Sequence, residues 1–410
     1  MKRSSLFTAC VAYLFLIMLL AVIGSAPVIA ADICDKKPDL PKCNTDPPPD
    51  PEPDPDDSCA NFSAPDYAFW RESNKGRVPT KTIFVADSTT GCEKELLFID
   101  LSETGFVNRL NLAYSSVGSG ESFFGRIVFQ MDLGSVSSQA QIDPVWKYDF
   151  GISEGQIHPV EGPLVVLTNT DPENSYARGL DLSADTHSLV WNFAERSGDD
   201  LSKLSIRTLD IDGCVDWPCA SVDEGNNLVE YEYQNRYPDP STGTLLQNPV
   251  WGPFGERIYF VAKEYQPDSH SHYVMAIAAD GSANGQATMI FGIENQVPGD
   301  ANYRHVRSVA SGLSGWPDPG EYLAVEIGDD NFVYSCADVY TLDVELCPGP
   351  QCELQYELGG NFMTWTRSGA ILLTGLGGAC KYNQIGIWDG TDVNIITKGY
   401  EPEAAASWPD

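Results

Sequence analysis

Outside the N-terminus, the apolar residues of this chain do not recur at helical spacing. They form short runs rich in Val, Ile, Tyr and Phe, separated by Gly, Asp, Asn and Pro. That is the pattern of many short strands joined by turns, an all-β chain. Three runs share one punctuation: WGPFGERIYFVA from Trp251, WPDPGEYLAVE from Trp316 and WTRSGAILLTG from Trp365, each with glycine four residues after the tryptophan. LSADTHSLVW from Leu182 is a degenerate copy, with Leu182 for the tryptophan and Thr186 for the glycine. WRESNKGRVPTKTIFVA from Trp70 is read as a copy with a lengthened turn, and AAASWPD at the chain end as a fragment carrying Trp408. FGRIVFQMD, residues 124–132, reads as another such strand without the tryptophan.

Second strands follow several of these: KELLFIDLSETG (94–105), SKLSIRTLDIDG (202–213), HYVMAIAADG (272–281) and QIGIWDGTD (384–392), with VNIITKG (393–399) as a third. A unit of about four strands every ~40–70 residues predicts a β-propeller, four antiparallel strands to a blade. Each tryptophan is expected to wedge between adjacent blades, burying about 2–3 kcal/mol of apolar surface. The glycine lets the turn take positive φ. A ring must close, so EPEAAASWPD is expected to lie as a closing strand beside Tyr67–Trp70 or the adjacent blade.

Composition adds location. Lys2 and Arg3 precede an apolar run from Leu6 to Ile23 and small residues through SAPVIA, which reads as a signal peptide over 1–30 cleaved after Ala30. An uncleaved membrane anchor is the alternative. The ten cysteines that remain without Cys10 then suit disulfides in an oxidising, extracytoplasmic compartment, periplasmic or secreted. Short spacings pair Cys34 with Cys43, Cys214 with Cys219 and Cys347 with Cys352; Cys59 with Cys92 and Cys336 with Cys380 follow by elimination. Residues 31–64 are a small knot and an acidic linker, TDPPPDPEPDPDD over 45–57, and 65–410 the propeller. The formal charge of −33 opposes nucleic-acid binding.

NPVWGPFGERIYFVA and SHYVMAIAADGS together resemble the repeat of TolB-like propellers, the WD40-like PD40 repeat. Pro249, Trp251, Pro253 and Gly255 match it, as do Trp365, Ser368 and Gly369, and Ser407, Trp408, Pro409 and Asp410 at the chain end. Gly252 and Phe254 stand where the repeat has Ser and Asp. The resemblance implies six blades, with seven as the alternative because 106–180 is hard to divide. It also implies an extracytoplasmic scaffold that engages protein partners.

The chain shows no G-x-S-x-G elbow and no HExxH. VGSGES (117–122) and SGLSGW (311–316) read as turns. PDSHSHY brings Asp268, His270 and His272 together; an extended 270–272 would point both imidazoles to one side, as a zinc site needs, but a solvated hairpin tip is preferred. TLDIDG (208–213), GDD (198–200) and IGDDNF (327–332) are the candidate calcium loops. WRESNKGR (70–77) is the stretch suited to sugar acids. No catalytic, cofactor or metal residue is assigned. The sequence reading is a non-catalytic exported propeller that binds a protein or cell-envelope ligand; the alternative is a carbohydrate-active or other hydrolytic or lytic propeller enzyme. A catalytic mouth would gather His, Arg, Tyr or carboxylates, whereas a scaffold would show a channel mouth lined by uncoordinated polar loops.

Overall fold

The computed structural model describes Cys59 and residues 62–73, 80–100, 109–132, 142–171, 174–196, 201–234, 241–300, 302–314, 320–329, 338–344, 357–359, 361–366, 369–376, 381–388, 390–395 and 403–405. The signal, knot and linker expectations, Trp316, Trp408 and the pairs Cys34–Cys43, Cys336–Cys380 and Cys347–Cys352 lie outside the described residues.

The described chain runs through consecutive antiparallel meanders. Blade 1 holds β1 (Tyr67–Ser73), β2 (Thr80–Ala86) and β3 (Glu93–Asp100). Blade 2 holds β4 (Arg109–Val117), β5 (Phe124–Asp132), β6 (Ile142–Ser153) and β7 (Gln156–Thr168). Blade 3 holds β8 (Ser175–Leu182), β9 (Ser188–Arg196), β10 (Leu201–Asp210) and, after the short β11 (Ala220–Ser221), β12 (Asn226–Gln234). Blade 4 holds β13 (Thr242–Trp251), β14 (Arg257–Gln266), β15 (Ser269–Ala278) and β16 (Thr288–Gln296). Blade 5 holds β17 (Arg304–Ser314), β18 (Gly320–Asp329), β19 (Asp338–Asp343) and β20 (Glu357–Gly359). Blade 6 holds β21 (Asn361–Trp365), β22 (Ile371–Leu376), β23 (Lys381–Trp388) and β24 (Val393–Ile395), and the last strand is β25 (Glu403–Ala405).

The chain closes on itself. β25 pairs antiparallel with β1, Ala405 opposite Phe69 and Glu403 opposite Arg71, and so becomes the first strand of blade 1 in the order β25-β1-β2-β3. This is the predicted closing strand, beside the predicted segment. Around the ring β1 packs on β4, β4 on β8, β8 on β13, β13 on β17, β17 on β21, and β21 on β25. Among the described residues this makes six four-stranded units. Two of them, blades 3 and 4, are fused edge to edge where Tyr233 faces Gly243 and Gln234 faces Thr242.

A lone four-stranded meander exposes two faces to water. Here each face is covered by the next blade. Ile83 and Val85 of blade 1 meet Leu112 and Ile127 of blade 2. Val128 and Val145 meet Leu189 and Trp191 of blade 3. Ile206 and Val229 meet Trp251 and Phe260 of blade 4. Tyr259 and Val274 meet Val309 and Val325 of blade 5. Ala324 and Val339 meet Ile371 and Trp388 of blade 6, and Leu372 and Ile387 return to Tyr67 and Phe69 of blade 1. Among the described residues, these apolar layers between neighbouring units make an all-β propeller.

Segment 106–180, the hardest to divide from sequence, proves to be blade 2 and the start of blade 3. Its entry turn uses no tryptophan; residues 118–123 make it with Gly118 at φ 75° and a 3-10 turn over Gly120–Ser122. Two sequence expectations are corrected. Trp70 is not in a turn from first to second strand: it lies within β1, opposite Ile83, and packs in the blade 1–2 layer with Lys81 Nζ 3.8 Å from its ring centre. Residues 311–314 are strand, the end of β17.

A long loop of blade 3 clasps blade 2. β11 runs parallel to β7, Ala220 beside Leu167 and Ser221 beside Thr168, and the Cys214–Cys219 disulfide closes the turn before it. The second described disulfide, Cys59–Cys92, fixes the chain ahead of β1 so that Phe62 enters the first layer. The first joins cysteines paired from short spacing, the second cysteines paired by elimination.

Candidate functional site

The turn after each first strand lies at one end of the central channel. Gly255 and Gly369 have φ of 73° and 87°, and Thr186, standing in for glycine, has φ 71°. The turns share a hydrogen-bond plan: Thr186 N–H donates to Ser183 O, Gly255 N–H to Gly252 O, and Gly369 N–H to Thr366 O. The positive φ is therefore required by the turn, even where the sequence carries a β-branched residue. Ahead of the turn the indoles wedge as predicted. Trp251 lies in the blade 3–4 layer. Trp365 packs against the blade 5–6 layer and across Gly312.

These strand ends surround a cavity of about 320 Å³. Every blade contributes: Asp66 and Tyr67, Tyr114 to Val117, Asp181 and Ala184, Trp251 and Pro253, Ser311 and Gly312, and Thr364 to Thr366. It is the mouth of the channel.

Hydrogen bonds at this mouth tie five pairs of neighbouring blades. The Tyr114 hydroxyl donates to Pro65 O at 2.6 Å, from blade 2 to blade 1. Ser115 Oγ donates to Ala184 O at 3.3 Å, from blade 2 to blade 3. Trp251 N–H of blade 4 donates to Asp181 Oδ2 of blade 3 at 2.7 Å. Ser311 Oγ of blade 5 donates to Trp251 O, and Trp365 Nε1–H of blade 6 donates to Ala310 O at 3.3 Å. Asp66 accepts from Ser88 N–H at 2.8 Å and from the Ser88 hydroxyl. Burial pushes the Asp181 carboxyl up to about 7, against the pull of the Trp251 and Leu182 N–H groups. Among the described residues lining the mouth there is no His, Lys, Arg or Cys. Among the described serines lining the mouth, Ser115 and Ser311 donate to backbone carbonyls rather than to a base.

The other sequence candidates lie elsewhere. His270 Nδ1 and His272 Nε2 both meet the Tyr303 hydroxyl, at 2.9 and 3.0 Å, and the His272 and His305 rings lie 5.9 Å apart. The pair is not a solvated hairpin tip: His272 is 2% exposed. Burial, with Lys263, His305 and His270 nearby, holds its pKa down to about 3, so it stays neutral. Among the described residues no group of three or more His, Cys, Asp or Glu is placed to hold a metal ion. In TLDIDG, Asp210 Oδ1 accepts the N–H groups of Asp212 and Gly213. Asp212 pairs with Arg126 at 2.6 Å and His187 at 3.3 Å, so both carboxylates already serve the protein. Residues 198–200 and 330–332 lie outside the described residues. Sequence reasoning singled out neither Asp66 nor Asp181; the signal available was their place at the strand end beside a turn.

No protein-family model matches the chain, and no curated protein matches it. Among solved structures it is similar to TolB from Acinetobacter baumannii, with TM-score 0.44 and 12% identity over 84% of this chain and 67% of that one. It is similar to prolyl oligopeptidase B from Galerina marginata, with TM-score 0.37 and 11% identity, covering 85% of this chain and 42% of that one. It is also similar to the α-L-arabinofuranosidase Arb93A from Fusarium graminearum, with TM-score 0.35 and 11% identity over 73% of this chain and 80% of that one.

Proposed function

We propose that the chain is an exported, TolB-like propeller that binds a protein or cell-envelope ligand at its channel mouth and performs no chemistry of its own. The observation that carries this reading is the use of the mouth's polar side chains. Tyr114, Ser115, Asp181 and Ser311 each hold one blade to the next, leaving a shaped, aromatic-lined cavity with no His, Lys, Arg or Cys among its described lining residues. The disulfides Cys59–Cys92 and Cys214–Cys219 support an oxidising compartment, periplasmic or secreted. The reading needs no cofactor.

One observation favours a second reading. A carboxyl held near 7 at Asp181, with Asp66 and two indoles in the same cavity, is what a glycan-cleaving general acid needs. The two are separated by Ala184→Arg, which fills the mouth from an exposed position without touching a blade layer. Crosslinked partners should be lost from this variant and kept by a variant on the opposite face. Turnover of a glycan panel that vanishes in Asp181→Asn would overturn the scaffold reading.

A further inference from the structure

The mouth has a chemical preference that the binding reading alone does not fix. Its described lining carries two carboxylates, Asp66 and Asp181, and no cationic side chain. The other titratable groups facing it are the phenols of Tyr67 and Tyr114; the lining residues from β13, β17 and β21 contribute none. Asp66 accepts from Ser88 N–H and from the Ser88 hydroxyl; of the nearby acids outside the lining, Asp185 accepts from the Ser183 hydroxyl and His187 N–H, and Glu321 from the Tyr259 hydroxyl at 2.8 Å. Among the described residues no cation pairs with Asp181, whose Oδ2 accepts from Trp251 N–H at 2.7 Å. Ser116 also lines the cavity and is 8% exposed, and its hydroxyl oxygen makes no hydrogen bond. Trp251, Trp365 and Tyr67 are among the lining residues.

Resting on the binding reading, we propose that this mouth captures a primary ammonium group on a short aliphatic stem, held between Asp66 and Asp181 with its stem against the indoles. An ammonium has three donors and no acceptor, which matches two carboxylates and an unengaged hydroxyl. Aromatic side chains favour the cation and its stem together. About 320 Å³ admits one such arm and no folded element. The group can arrive as a lysine side chain or as a chain N-terminus. An ammonium beside Asp181 favours its ionised form, so binding expels a proton when the site starts protonated.

The test uses the full chain and tryptophan fluorescence at millimolar probe. n-Butylammonium should bind at least tenfold more tightly than n-butanol at pH 7.5, and its affinity should rise at least tenfold between pH 5.5 and 7.5. Asp181→Asn, whose amide oxygen can still accept from Trp251 N–H, should bind more weakly and show no such pH dependence. Nα-acetyl-lysinamide and the lysine-free Gly-Ala-Ala amide separate the two sources by which binds better. Equal binding of butylammonium and butanol to the wild-type chain overturns the proposal and needs no variant. If they bind equally while partners still depend on an open mouth at Ala184, the amine preference is wrong and the binding reading stands.

Discussion

Gly312→Ala asks whether Trp365 is the wedge between blades 5 and 6. A methyl group on Gly312 would lie 2.3 Å from Trp365 Cγ, 2.4 Å from Cδ2 and 2.6 Å from Cβ, against an ordinary carbon contact of about 3.5–4 Å. Turning the indole to another rotamer leaves Trp365 Cβ where it is, so β17 or β21 must move by about 1 Å. Overpacking of this kind costs about 1–3 kcal/mol. At about 2 °C per kcal/mol for a domain of this size, the thermal midpoint should fall by about 2–6 °C. Trp365→Ala removes the ring, and the double variant should lose less than the two singles together, by about 1 kcal/mol or more. Circular dichroism melts of the four proteins read this directly. A Gly312→Ala protein that melts with the wild type, or strict additivity in the cycle, would refute the wedge.

Three further changes probe the rest of the ring. Asp181 binds its proton more tightly folded, near 7, than unfolded, near 4; the native state therefore holds more protons in that window, and stability falls as pH rises through it, by up to about 1.4 kcal/mol per unit. Urea unfolding of Asp181→Asn should show a flatter profile from pH 4.5 to 7.5. Arg126 donates to Asp149 at 2.7 and 2.8 Å in a buried fork and to Thr186 O across the blade 2–3 joint; Arg126→Met leaves buried Asp149 with Lys147 alone and should cost about 3 kcal/mol. Replacing Cys214 and Cys219 together by alanine should cost about 2 kcal/mol and speed hydrogen exchange at Cys219 and Val222, whose N–H groups donate to Val166 O and Thr168 O.

The parts of the fold that sequence revealed are those where a backbone demand selects a residue. Positive φ in the blade turns selects glycine at 255 and 369, and the indole ahead of it fills the joint, so the repeat can be counted. Thr186 shows the limit: the turn demands the conformation, but a neighbourhood able to hold threonine there hides the signal. The closing strand was legible because a turn fragment with no following strand has to be completed elsewhere. Blade 2 was not, because its entry turn is built from Gly118 and a 3-10 turn without an indole. Trp70 misled because a tryptophan followed by a glycine also occurs when the aromatic belongs to a second strand. The mouth was least legible. Asp66, Tyr114, Asp181 and Ser311 come from four blades and carry no shared local motif, and Tyr303 joins His270 and His272 from over thirty residues away.

The ring itself is tested most directly at its closure. β25 meets β1 through Glu403, Ala404 and Ala405, so removal of residues 401–410 exposes the edge of β1 and opens the layer between blades 6 and 1. Residues 31–57, read from sequence as knot and linker, lie outside the described residues. Urea unfolding of the two truncations should show the midpoint collapse for the C-terminal deletion and hold near the full-length value for the N-terminal one. Equal midpoints for the full chain and the chain lacking 401–410 would contradict a closed toroid.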